Sequence, residues 1–176
     1  MGVMTGLAKP LLGFLVLICC AVGAQKSAKV ENTLFSPSSF TRAPLPIRQQ
    51  LERMHCRVFG KENLIRGQFA ADKQDDWAAL CVNGDHIQPV VIWGGKVQCD
   101  ARPAPARDYK ELMADPMRDA YIATAEPKKI AMYADSVGGV ESLPSVTHAG
   151  LEVGDEQASV IYYCQQGKWV QLTGAD

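Results

Sequence analysis

The chain has 176 residues and a formal net charge of −1, with 18 basic and 19 acidic side chains. So even a balance argues against nucleic acid as a ligand, because phosphate binding draws on a net basic surface. At this length a single domain with its own core is expected.

Residues 1–24 read as a secretory signal peptide. Lys9 is their only charge, Leu11 to Ile18 form an apolar stretch, and Val22-Gly23-Ala24 end in small side chains just before Gln25. That stretch is too short to span a bilayer, which takes about 20 apolar residues, and no transmembrane segment is expected after it. Leu17-Ile18-Cys19-Cys20 faintly resembles a bacterial lipoprotein box, but Cys19 stands where such a box needs Gly or Ala. Cleavage near Ala24 followed by secretion or residence in a periplasm is therefore the expectation. The remaining chain carries a charge of −2, unevenly spread. Residues 25–70 hold eight basic and three acidic side chains, and residues 71–176 hold nine and sixteen. Mutual neutralisation of the two parts is the simplest outcome, with a basic arm docking on an acidic envelope component as the other.

From Gln25 to Leu45 the chain is polar and broken by Pro37 and Pro44, which predicts a flexible N-terminal lead. A single domain is then expected over residues 46–176. Pro46 suits a first helical position, and Ile47, Leu51, Met54 and Val58 recur at helical spacing before Gly60. Short runs rich in Val, Ile, Tyr and Trp follow. They predict strands at 63–69, 77–82, 87–93, 96–99, 120–124, 129–134, 159–164 and 168–172, with Asn83-Gly84-Asp85 as the strongest hairpin turn. Residues 108–114 read as a turn or two of helix, and 135–154 as a long loop interrupted by glycines and Pro144. The expected fold class is α+β: a mainly antiparallel sheet of short strands with one N-terminal amphipathic helix packed on it.

Four cysteines lie beyond the signal: Cys56, Cys81, Cys99 and Cys164. An even number in an oxidising compartment predicts two disulfides, and four cysteines allow three pairings. Cys56 with Cys81 and Cys99 with Cys164 is favoured here, since the first bridge would tie the helix to the sheet. Buried free thiols are the alternative.

Within Gly67 to Leu80, the residues Gly67, Phe69, Asp72, Asp76, Trp77 and Ala78 fall in register with a known pattern. The segment resembles the FG-GAP repeat of integrin-type β-propellers, in which Gly-x-Phe leads through a calcium loop into a strand. The resemblance implies a calcium site, but Gln68 and Ala70 occupy its first two ligand places and Lys73 replaces its Gly. Only Asp72 and Asp76 keep carboxylates, too few for a cation that takes six to eight oxygens. No metal or other cofactor is expected. A chain this short also cannot supply a propeller's four or more blades. The order from Gly67-x-Phe69 through Asp76-Trp77-Ala78 to Ser159–Cys164 and Gly167-Lys168-Trp169 is similar to that of small exported bacterial proteins of unassigned function, which implies a compartment and no activity.

Catalytic motifs are sparse: there is no Gly-x-Ser-x-Gly, His-Glu-x-x-His, phosphate loop or dinucleotide fingerprint. His55 and Cys56 are sequence neighbours whose side chains diverge on a helix. His148, with Glu152 or Asp155 as an orienting carboxylate, is the one catalytic candidate. Tyr162, Tyr163 and Trp169 either pack in the core or, exposed on one face, form a stacking platform for a ligand. The expected function is an exported, disulfide-stabilised, monomeric binding or envelope-associated module for an envelope component or small ligand. A hydrolase-like enzyme built around His148 is the alternative.

Overall fold

The computed structural model describes residues 34–114, 119–136, 145–155 and 157–173. The signal segment 1–24 lies outside the described residues, as does the part of the N-terminal lead before Leu34.

Among the described residues, ten strands and three α-helices follow one another as β1 (Leu34–Phe35), α1 (Leu45–Arg53), β2 (Arg57–Phe59), β3 (Leu64–Gly67), β4 (Asp76–Asn83), β5 (His86–Ile92), β6 (Arg107–Asp108), α2 (Tyr109–Ala114), β7 (Tyr121–Ala125), α3 (Pro127–Ser136), β8 (Gly150–Gly154), β9 (Ser159–Gln165) and β10 (Lys168–Thr173). Every pairing is antiparallel. One sheet has the order β1-β2-β4-β5-β6, with β3 also paired to β4; the other has the order β10-β9-β8-β7. The α+β class and the antiparallel sheet hold, but the strands divide into two sheets and three helices accompany them.

The sheets lie face to face because both present alternating apolar residues. Ala78, Leu80 and Val82 of β4 point toward the second sheet and pack with Ile122 and Leu151 in one core. Ala79 and Cys81 point the other way, onto Leu51 of α1. Beyond the second sheet, Ile130 of α3 packs with Ala125, Ile161, Tyr163 and Leu172. The layers are thus helix, sheet, sheet, helix, and β4 is covered on both faces.

One buried polar side chain stitches the sheets together. Asn63 donates from Nδ2 to the carbonyls of Phe59 (2.7 Å) and Ala120 (3.2 Å), and its Oδ1 accepts from the Ile122 N–H at 2.8 Å. Paired this way, the amide offsets its own desolvation and fixes where β7 begins.

Five expectations need correction. The lead is not loose from Leu34 onward: β1 pairs with β2, a 3-10 turn spans Pro37–Ser39, and Phe40 and Ala43 are buried beside α1. Helix α1 stops at Arg53, because His55 takes a left-handed conformation (φ 52°) and the Cys56 N–H closes on the Leu51 carbonyl; Val58 is a strand residue. Residues 96–99 form no strand and belong to the loop after β5. Residues 129–134 are helical, starting from Pro127, and the predicted loop 135–154 contains β8.

Both disulfides form with the favoured pairing. Cys56–Cys81 joins the end of α1 to β4 with Cα atoms 5.0 Å apart, and Cys99–Cys164 joins the β5–β6 loop to β9 with Cα atoms 5.9 Å apart. Among the described residues no helix is long and apolar enough to cross a membrane.

Candidate functional site

Between the two sheets, near the β6 edge, the apolar core is incomplete and leaves a cavity of about 260 Å³. Its walls are side chains whose directions follow from strand alternation: Leu80 and Ile87 from the first sheet, Val153, Val160 and Tyr162 from the second, and Leu112 from α2. Ala104 and Pro105 of the β5–β6 loop close one side. Tyr162 is 8% exposed, and burial pushes its hydroxyl's pKa up, keeping it a neutral donor. That hydroxyl has no hydrogen-bond partner among the described residues.

Two charges flank the cavity. Arg107 pairs with Ile87 across the β5–β6 ladder, so its side chain leaves the sheet on the same face as a wall residue. Its guanidinium stands 3.9 Å from Asp155 and is half exposed, while Asp155 is largely covered. At that distance the pair is an ion contact and not a hydrogen bond. Asp155 is engaged elsewhere: one oxygen accepts the N–H groups of Gln157 (3.1 Å) and Ala158 (3.2 Å), shaping the turn between β8 and β9. The five donors of Arg107 have no hydrogen-bond acceptor among the described residues.

The β5–β6 loop, residues 93–106, is held in place at several points. Gln74 exchanges hydrogen bonds with the Val97 backbone, at 2.8 and 3.3 Å. The Trp169 indole donates to the Asp100 carbonyl at 2.8 Å, and Cys99 is bridged to Cys164. A wall made of loop thereby becomes a fixed surface.

The segment from Gly67 to Leu80 is organised around a carboxylate. Asp76 is fully buried; one oxygen accepts the N–H groups of Phe69 (3.0 Å) and Ala70 (3.2 Å), the other the Gln74 amide (2.8 Å) and the Gly94 N–H (2.9 Å). Four donors satisfy a carboxylate without a cation. Gly67 and Phe69 belong together sterically, since a Cβ on Gly67 would sit 2.5 Å from the Phe69 ring. At Gly94 a Cβ would run into the Asp75 carbonyl, so the chain passes Asp76 this closely only with glycine there. Asp72 is exposed and apart from Asp76's bonds. No group of three or more His, Cys, Asp or Glu among the described residues is placed to hold a metal ion.

His148 is buried, contrary to the polar loop position expected for it. Its ring stacks on Tyr163 with centroids 4.4 Å apart, Nδ1 lies 2.9 Å from the Ala149 carbonyl oxygen, and Nε2 lies 3.0 Å from that of Cys164. Neither nitrogen faces a nucleophile or a carboxylate among the described residues. Glu152, expected as a partner, is spent on Lys129 (2.6 Å) and the Tyr121 hydroxyl (3.1 Å), and Asp155 on the turn described above. His148, Tyr163 and Asp72 do border one shallow depression, together with Thr147 and Gln165.

Around Glu152 the electrostatics are those of a partly buried ion pair. Burial alone would raise its carboxyl pKa, but hydrogen bonds from Lys129, Ser159 and Tyr121 outweigh that and hold it below the usual range. The hydrogen bond to Glu152 holds the Lys129 ammonium pKa above its ordinary value, and burial raises that of the Tyr121 hydroxyl.

The aromatic platform does not form. Tyr162 and Tyr163 are buried on opposite faces of β9; Trp169 is half-buried and stacks on Trp93 with centroids 5.8 Å apart. Tyr162 nevertheless reaches the cavity. Arg107 escaped sequence reasoning because a two-residue strand among prolines carries no periodic signal.

Compared with protein-family models, curated proteins and solved structures, the chain matches none at a level that establishes kinship.

Proposed function

We propose that the protein is an exported, disulfide-stabilised binding module whose ligand is a small molecule held in the cavity between the sheets. The observation that carries this reading is the cavity itself. It is a part-open recess at the edge of the main core, with mostly apolar walls, a Tyr162 hydroxyl that has no hydrogen-bond partner among the described residues, and at its rim the Arg107 guanidinium, in ion contact with Asp155. A few convergent polar groups in an apolar concavity are the usual composition of a small-ligand site.

Two disulfides support folding outside the reducing cytosol, in line with the signal-like segment 1–24. The hydrolase-like alternative requires a His148 nitrogen turned toward a nucleophile, and both nitrogens lie against backbone carbonyls. An envelope component remains compatible as the ligand's source.

The test is a nuclear magnetic resonance titration of the oxidised protein with a series of small apolar fragments. Shifts confined to Leu80, Val153, Val160 and Tyr162 are expected. Fragments that bind while leaving those four signals in place would refute the cavity as the site.

A further inference from the structure

Resting on that reading, we infer that the cavity takes a medium-chain monocarboxylate, its hydrocarbon part among Leu80, Val153 and Val160 and its carboxylate against Arg107.

Size sets the chain length. A cavity of 150 Å³ accommodates benzene, so about 260 Å³ corresponds to roughly ten non-hydrogen atoms in proportion. That is the size of octanoate. Shape agrees, because the walls are mostly aliphatic, with Tyr162 on one side and the charged pair Arg107 and Asp155 at the rim.

Charge sets the head group. Arg107 offers a planar fork of five donors, and its sole ion contact among the described residues is the 3.9 Å approach to Asp155. Asp155 has one oxygen tied to two backbone N–H groups, so donors outnumber free acceptors at this rim. A carboxylate is the planar, two-oxygen acceptor that matches such a fork. An ammonium head would meet Arg107's positive charge, and an alcohol would use one donor at most. The Tyr162 hydroxyl, neutral and unpartnered, can supply a further hydrogen bond.

Calorimetric titration of the oxidised protein with octanoate, 1-octanol and octylamine tests this, alongside Arg107→Met, Arg107→Lys and Ala104→Trp variants whose folding is checked by circular dichroism. Octanoate is expected to bind the parent at least tenfold more tightly than octanol, with octylamine weakest. Arg107→Met should remove that tenfold preference, bringing octanoate down to the level of octanol. Arg107→Lys, which keeps the charge without the fork, should retain part of it and serves as the deciding variant if Arg107→Met does not fold. Equal binding of octanoate and octanol, or an unchanged preference in the Arg107 variants, would overturn the carboxylate assignment while sparing the cavity. Ala104→Trp, which fills the cavity from its loop wall, should abolish binding of all three. Binding that survives it, or no binding of any of the three to the parent, would overturn the cavity reading as well.

Discussion

Cys99 and Cys164 join the loop that closes one side of the inter-sheet cavity to the strand that carries Tyr162 on its opposite wall. The bridge spans 65 residues of sequence, so in the chain-entropy description it contributes about 4 kcal/mol. It also fixes the separation of two cavity walls. Replacing both cysteines by alanine should lower stability by about 4 kcal/mol in urea melts and weaken cavity binding at temperatures where the variant is still folded. A loss below about 1 kcal/mol with unchanged binding would show that the loop is held by its hydrogen bonds alone.

Glu152 links stability to pH. Its pKa is held below the ordinary value in the folded protein, so its contribution is complete above the unfolded value, about 4.3. That contribution is lost as pH falls through the lower folded value. Lys129, raised by the same hydrogen bond, contributes fully below its unfolded value of about 10.4 and loses that contribution as pH rises through the raised one. Glu152→Gln should therefore flatten the acid limb of a stability profile. Lys129→Met, which leaves the buried carboxylate short of its cation, should cost about 1–2 kcal/mol near neutrality, the partial exposure of Lys129 limiting the loss. An acid limb unchanged in Glu152→Gln would assign it to other carboxylates.

Asp76 acts through its four N–H donors. In Asp76→Asn one acceptor oxygen becomes a donor group facing other donors, and a loss of about 2–4 kcal/mol is expected. Millimolar calcium should leave the fluorescence of neighbouring Trp77 unchanged, because the carboxylate has no coordination left to offer. A saturable calcium response that disappears in Asp72→Asn would instead establish that the FG-GAP-like loop binds the ion.

The hairpin of β4 and β5 is legible because Trp77 to Val82 is an unbroken apolar run, as a strand covered on both faces requires, and Asn83-Gly84 marks the turn. Val58 misled because the four-three-four spacing from Ile47 runs past the helix end. What ends α1 is His55 in a conformation usually left to glycine, next to a cysteine anchored to β4. At 129–134 a short apolar run suited strand and helix equally. Packing decides between them, since Ile130 and Tyr133, three residues apart, share the face of α3 that covers the second sheet. Strand β8 was hidden because Glu152 and two flanking glycines look like loop. The glutamate is buried there only because Lys129, more than 20 residues earlier in the chain, reaches it. The cavity has the same kind of origin: Arg107, Val153 and Tyr162 meet only once two sheets are stacked.

His148 has a structural role. Its ring fills the space beside Tyr163 with its two nitrogens facing the Ala149 and Cys164 carbonyls, and the neutral imidazole, with a single N–H, donates to one of them. His148→Phe should keep the stacking but remove that hydrogen bond, lowering stability by about 1–3 kcal/mol without altering octanoate binding. Abolished binding in a folded His148→Phe protein would move the site to the depression near Asp72.

The most direct measurement is a crystal structure of the oxidised protein grown with octanoate. A hydrocarbon chain is expected between Leu80, Val153 and Tyr162, with carboxylate oxygens about 2.8 Å from the Arg107 guanidinium. A cavity filled by the protein's own side chains, or octanoate bound only elsewhere on the surface, would contradict that placement.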